Sequence, residues 1–115
     1  MGYTTFVVIN MIEHDCKTKK HASEEFQKLM KESQVLNYQI EDDSAEFEDN
    51  NGNTLQAIVD NSKNYPGILL QGTIDGTSED SYDLRTFRIR EGEIEEHRAV
   101  ITYPPFQTIR KKKQK

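Results

Sequence analysis

His14, Cys16 and His21 fall within eight residues of one another, with Glu13 and Asp15 beside them. Imidazole and thiolate are ligands for zinc and copper, so a soft metal site is the first chemistry to test. The spacing His-x-Cys-x4-His matches no usual zinc pattern, and a closed site needs a fourth ligand. The reading is therefore a polar loop without a metal, in which Cys16 acts as a small apolar side chain. Cys16 and His97 form the other candidate pair, a nucleophile and its base. Nothing in the sequence brings the two together or supplies an orienting third group.

The stretch Glu41–Asp49 holds six acidic side chains: Glu41, Asp42, Asp43, Glu46, Glu48 and Asp49. A calcium loop counted from Asp49 would have Asn51 and Asn53 at positions three and five. Its glycine falls at position four instead of six, so the pattern fails. The acids are then either a solvated strand edge, whose charges discourage edge-to-edge pairing, or a surface that attracts a basic partner. Glu91, Glu93, Glu95 and Glu96 alternate with Arg88, Arg90 and Arg98, the pattern of surface ion pairs and not of two carboxylates in unequal environments. No phosphate-binding glycine loop and no nucleophile elbow occurs, and no cofactor is expected.

The charge is divided unevenly. The net charge is −5, yet Arg110–Lys115 alone carries +5, leaving twenty acidic against ten basic side chains in residues 1–109. The tail could bind phosphates, with salt-sensitive affinity, but the acidic body works against nucleic acid. No apolar run approaches the length of a membrane helix, and Met1–Ile12 lacks the pattern of a signal peptide. A single cysteine precludes an intrachain disulfide. These features point to a reducing, cytoplasmic setting.

The elements that would position these residues follow from periodicity. Tyr3–Ile12 predicts a strand buried on both faces. Phe26, Leu29, Met30 and Ser33 mark one helix face, with Ser23 as cap and a span from about Ser23 to Gln34. Tyr38 and Ile40, then Ala45 and Phe47, alternate as strands do. Asn51-Gly52 predicts a type I′ hairpin turn leading into a strand at Thr54–Val59. Leu55, Ile58 and Val59 also fit a helical face capped by Thr54, and in that case a ferredoxin-like order becomes available. Ile68–Ile74 predicts a strand in which Gly72 marks a bulge or a close backbone approach. Leu84–Ile89 and Ile94–Tyr103 predict a hairpin about Glu91-Gly92, with Arg88 facing Glu95, Ile89 facing Ile94 and Arg90 facing Glu93. A slip in apolar phase between Leu84 and Phe87 predicts a bulge or an early strand end. The stretch Phe87–His97 resembles the last hairpin of the nuclear-transport-factor-2 family over about a tenth of the chain. The resemblance implies a cone-shaped sheet, although the two helices that open that family have no counterpart here.

The expected fold is α+β: a mainly antiparallel sheet of five or six strands with one main helix packed on one face. Residues 1–109 form its single domain, and residues 110–115 a disordered basic tail. Three functions remain open. The first is a non-enzymatic interaction protein of inhibitor, immunity or anti-defence type. It would bind a basic protein through Glu41, Asp42, Asp43, Glu46, Glu48 and Asp49, with Glu93, Glu95 and Glu96 in support. The second is a ligand-binding or enzymatic domain with a pocket between helix and sheet, lined by Tyr38, Tyr65, Tyr82, Phe87, His97 and Tyr103. The third is nucleic-acid binding through the tail. An exposed strand edge would also allow a homodimer.

Overall fold

The computed structural model of the chain describes residues 4–77 and 82–98. Their order is β1 (Thr4–His14), α1 (Lys19–Glu32), a 3₁₀ turn (Asn37–Gln39), β2 (Ser44–Asn50), α2 (Asn53–Asn61), a 3₁₀ turn (Ser62–Asn64), β3 (Ile68–Thr77), β4 (Tyr82–Arg90) and β5 (Glu93–Arg98). The five described strands form one antiparallel sheet in the order β2-β1-β3-β4-β5. The fold is α+β, with two α-helices among the described residues. Its chain order, β-α-β-α-β-β-β, differs from the ferredoxin-like β-α-β-β-α-β. The boundary expected at residue 109, and the tail beyond it, lie outside the described residues.

Strand alternation decides where the core lies. Val7 and Ile9, Ala45 and Phe47, Leu70 and Ile74, Phe87 and Ile89 all point to one face and are buried. Phe26, Leu29 and Met30 of α1 and Leu55, Ile58 and Val59 of α2 pack into the same cluster, so both helices cover that face. Among the described residues, no helix covers the other face, called the open face below. Strand β1 is central yet buried on one side only: Phe6 is 44% exposed. Its continuous apolar run therefore overstates its burial.

Helix α1 starts four residues before the expected cap. Thr18 Oγ accepts from the His21 N–H at 3.0 Å, and Ala22 adds a turn to the buried face. Ser23 lies inside the helix and donates to the Asp42 carbonyl at 2.8 Å. Thr18→Ala is expected to lower stability by about 1 kcal/mol, read as a shift in urea midpoint at constant slope. The helix ends in a Schellman motif: Val35 N–H bonds to the Met30 carbonyl at 2.9 Å and Gln34 N–H to the Lys31 carbonyl at 3.0 Å. Gln34 occupies the left-handed position at φ 70° that glycine usually fills.

Asn51 and Gly52 do adopt positive φ, at 58° and 75°. They do not turn the chain into a hairpin. Gly52 begins α2, and its carbonyl accepts from Gln56 N–H at 2.9 Å. The strand expected at Thr54–Val59 is thus a helix, because Leu55, Ile58 and Val59 gain more from one apolar face than from alternation. Tyr38 lies in a 3₁₀ turn, with only an isolated bridge from Ile40 to Ala45. The bulge expected near Leu84 is absent, since β3 and β4 pair in unbroken register. Leu84 simply points to the open face. The irregularity falls in β1, between Met11 and Glu13. The final hairpin pairs as expected, with Glu91 and Gly92 at φ 52° and 82°.

Candidate functional site

The open sheet face carries the larger share of the expected partner-binding acids. Strand register aligns Glu48, Phe6 and Asp75 in one row across β2, β1 and β3. The next row runs Glu46, Val8, Thr73, Thr86 and His97. A third runs Ser44, Asn10, Gln71, Arg88 and Glu95. At the β2 edge, a groove of about 380 Å³ is lined by Phe6, Val8, Tyr38, Glu41 and Glu46, among others. Tyr38 is 83% exposed there. Glu48 stands beside Phe6 on the same face. This end of the sheet therefore joins exposed apolar surface to a carboxylate rim. Sequence periodicity could not find Phe6 or Tyr38 as surface residues, because both look like core or strand positions.

The acids away from this groove divide among four places. Asp42 and Asp43 border a separate cleft of about 760 Å³ between β1 and α1, where Lys19 and Lys20 stand among the lining residues. Glu93 and Glu95 lie on the open face of β5, four strand spacings or about 19 Å from β2, next to Arg90 and Arg88. Glu96 points to the helix-covered face and pairs with Arg85 at 2.8 Å. Asp49 must be withdrawn from the surface set. It is 1% exposed, and its carboxylate accepts from Thr54 N–H at 2.8 Å and Leu55 N–H at 3.0 Å.

Of the described residues expected to line a pocket between helix and sheet, only Phe87 and His97 come together, in a shallow groove on the open face. Phe87 is core, Tyr38 lies at the β2 edge, and His97 is exposed on the open face. Tyr65 lies along α1, where its hydroxyl donates to Glu32 at 3.0 Å. Partial burial, that hydrogen bond and the charges of Glu32 and Glu25 push its pKa up to about 12. Tyr103 and the side chain of Tyr82 lie outside the described residues. Away from the cleft beside Asp42 and Asp43, the core side chains pack together between the helices and the sheet.

Cys16 and His97 are not neighbours. Cys16 precedes α1, and its thiol donates to Glu25 Oε1 at 3.5 Å. Partial burial, this bond and the charges of Glu25 and Asp15 push the thiol pKa up, away from nucleophilic thiolate. His21 Nε2 lies 3.4 Å from Glu25 Oε2. Cys16, His21 and Glu25 thus meet at the start of α1, whereas His14 ends β1 and stands apart. Glu25 was not visible as a partner in the cysteine–histidine spacing. The signal was its i, i+4 relation to His21.

No helix among the described residues is long and apolar enough to cross a membrane. Comparison with protein-family models, with curated proteins and with solved structures finds no match to this chain.

Proposed function

We propose that this chain is a non-enzymatic interaction protein that binds a basic protein partner, in the manner of an inhibitor, immunity or anti-defence protein. The observation that carries this reading is the groove at the β2 edge, where Phe6, Val8 and Tyr38 are flanked by Glu41, Glu46 and Glu48. Interfaces draw affinity from a few aromatic anchors, while charges at their rim steer the encounter and select the partner's sign. A net charge of −10 over residues 1–109 extends that steering beyond the groove. Beyond Ala45, which Ile40 bridges, strand β2 is also an edge of the described sheet, so its outer backbone groups there can hydrogen-bond an extended segment. The partner surface implied is cationic, with an apolar side chain to seat on Phe6 and Val8.

The test is capture of the tagged full chain's partners from its own cell or host lysate at low and high salt. A cationic protein retained at low salt and lost at high salt is the expected result. With that protein purified, Glu41→Lys, Glu46→Lys and Glu48→Lys combined should weaken binding by at least about tenfold, mainly through slower association. Glu93→Lys with Glu95→Lys should change it far less. Equal loss per substituted charge in the two variants would mean that only net charge matters and would overturn the groove as the site. Retention of binding by the triple variant would overturn the reading.

A further inference from the structure

The cluster at the start of α1 has a donor set that the acidic groove does not use. Cys16 Sγ, His21 and Glu25 each present one ligand atom, all within 4.8 Å of one another. We propose that Cys16, His21 and Glu25 bind a divalent transition-metal ion, with zinc the best match to the donors and one position left to water or a fourth ligand.

Geometry carries the assignment. Around a tetrahedral zinc, with Zn–S of about 2.3 Å and Zn–N and Zn–O of about 2.1 Å, adjacent ligand atoms lie about 3.4–3.6 Å apart. Glu25 Oε1 stands 3.5 Å from Cys16 Sγ and its Oε2 stands 3.4 Å from His21 Nε2. With one ligand atom taken from each residue the three lie within 4.8 Å of one another, so small side-chain rotations bring them to that spacing. The local fold holds these positions. His21 and Glu25 are one turn apart on α1, and Thr18 fixes where that helix begins. The loop carrying Cys16 is tied to the strand side by Asp15 N–H bonding to the Gly67 carbonyl at 3.0 Å. Glu24 Oε1 lies 3.9 Å from His21 Nδ1. That is beyond hydrogen-bond reach, so Glu24 stands near the ring without fixing its tautomer. One nitrogen, one sulfur and one oxygen suit zinc, and three protein ligands with an open fourth position are the pattern of accessible zinc centres. Coordination would release the Cys16 thiol proton to solvent. Thiolate, carboxylate and neutral imidazole would then balance the two positive charges of the ion. His21 is exposed, so the ion has a path in.

Cobalt(II) is the probe, titrated into the reduced full chain. The expected result is a thiolate-to-cobalt charge-transfer band with intense visible bands of four-coordinate cobalt, saturating at one equivalent, accompanied by proton release and reversed by zinc. Cys16→Ser should remove the charge-transfer band. His21→Gln and Glu25→Gln should each weaken binding by more than about a hundredfold, beyond the roughly ten- to hundredfold typical for loss of an outer-shell partner. His14→Gln should leave binding unchanged. Circular dichroism of each variant checks that α1 is intact. Absence of the charge-transfer band at one equivalent would overturn the proposal. So would its persistence at unchanged affinity in the His21→Gln/Glu25→Gln double variant, which would mean that the thiol binds cobalt without the cluster.

Discussion

Asp49→Ala is expected to destabilise the protein by about 3 kcal/mol, as large an effect as any single acidic residue here should have. The carboxylate lies under the sheet's covered face and bonds the N–H groups of Thr54 and Leu55, at the second and third positions of α2. Those N–H groups have no acceptor within the helix. An N-cap side chain normally serves them, but Gly52 occupies the cap and has none. Asp49 reaches across from the end of β2 and does that work, with its negative charge aligned with the helix dipole. Alanine would leave Leu55 N–H buried and unbonded, while Thr54 N–H is near enough to the surface to find water. Hydrogen bonds to a charged acceptor are worth about 1.5–3 kcal/mol each, which sets the estimate. Asp49→Asn keeps one acceptor oxygen and should cost about half as much. The measurement is urea unfolding, with hydrogen exchange of the α2 amides to localise the loss. A cost below about 0.5 kcal/mol would mark Asp49 as an ordinary surface acid and contradict this role.

Asp49 also explains how much of the molecule was legible in its sequence. Residue type gave its charge but not its direction. On β2, alternation sends Glu46 and Glu48 to the open face and Asp49 to the covered one. That parity could be read only once Ala45 and Phe47 were known to face the core. Local pattern sufficed where one strong signal had one outcome. The Glu91-Gly92 hairpin and its cross-strand pairs are the clear case. It failed where one signal had two outcomes. Positive φ at Asn51-Gly52 is compatible with a hairpin and equally with a helix start, and the choice depended on Asp49 and on the apolar face of Leu55, Ile58 and Val59. The groove was half legible. Its acids stood out by composition, but Phe6 and Tyr38 became surface residues only through the placement of both helices on the opposite face. The Cys16–His21–Glu25 cluster was hidden for a related reason. Helical phase, not nearness in sequence, exchanges His14 for Glu25.

The groove at the β2 edge depends on a rigid sheet beneath it, and Gly72 is a point where that sheet leaves no room for a side chain. This residue sits in the middle of β3, opposite Ile9 on β1 and Phe87 on β4. A methyl group added there would collide with the Val8 carbonyl oxygen and come within 2.7 Å of Phe87 Cζ and 3.0 Å of Ile9 Cα. The Phe87 ring thus packs directly over backbone. Gly72→Ala is expected to cost about 3 kcal/mol, the upper end for overpacking, because a rotamer change cannot relieve a clash with a carbonyl in a sheet ladder. The entropy removed from the unfolded chain would offset only about 0.4–1 kcal/mol. Gly67 provides a contrast. A side chain there would meet the Asp15 carboxylate, the far end of a flexible group, so Gly67→Ala should cost much less. Urea unfolding of Gly72→Ala, of Phe87→Leu and of the double variant separates the two contacts. If ring and backbone both resist the methyl, the double variant recovers only part of the loss. Full recovery would assign the whole effect to the ring. A neutral Gly72→Ala would mean that β1 and β3 can part without penalty, and the sheet would then be too compliant to hold the groove at the β2 edge in one shape.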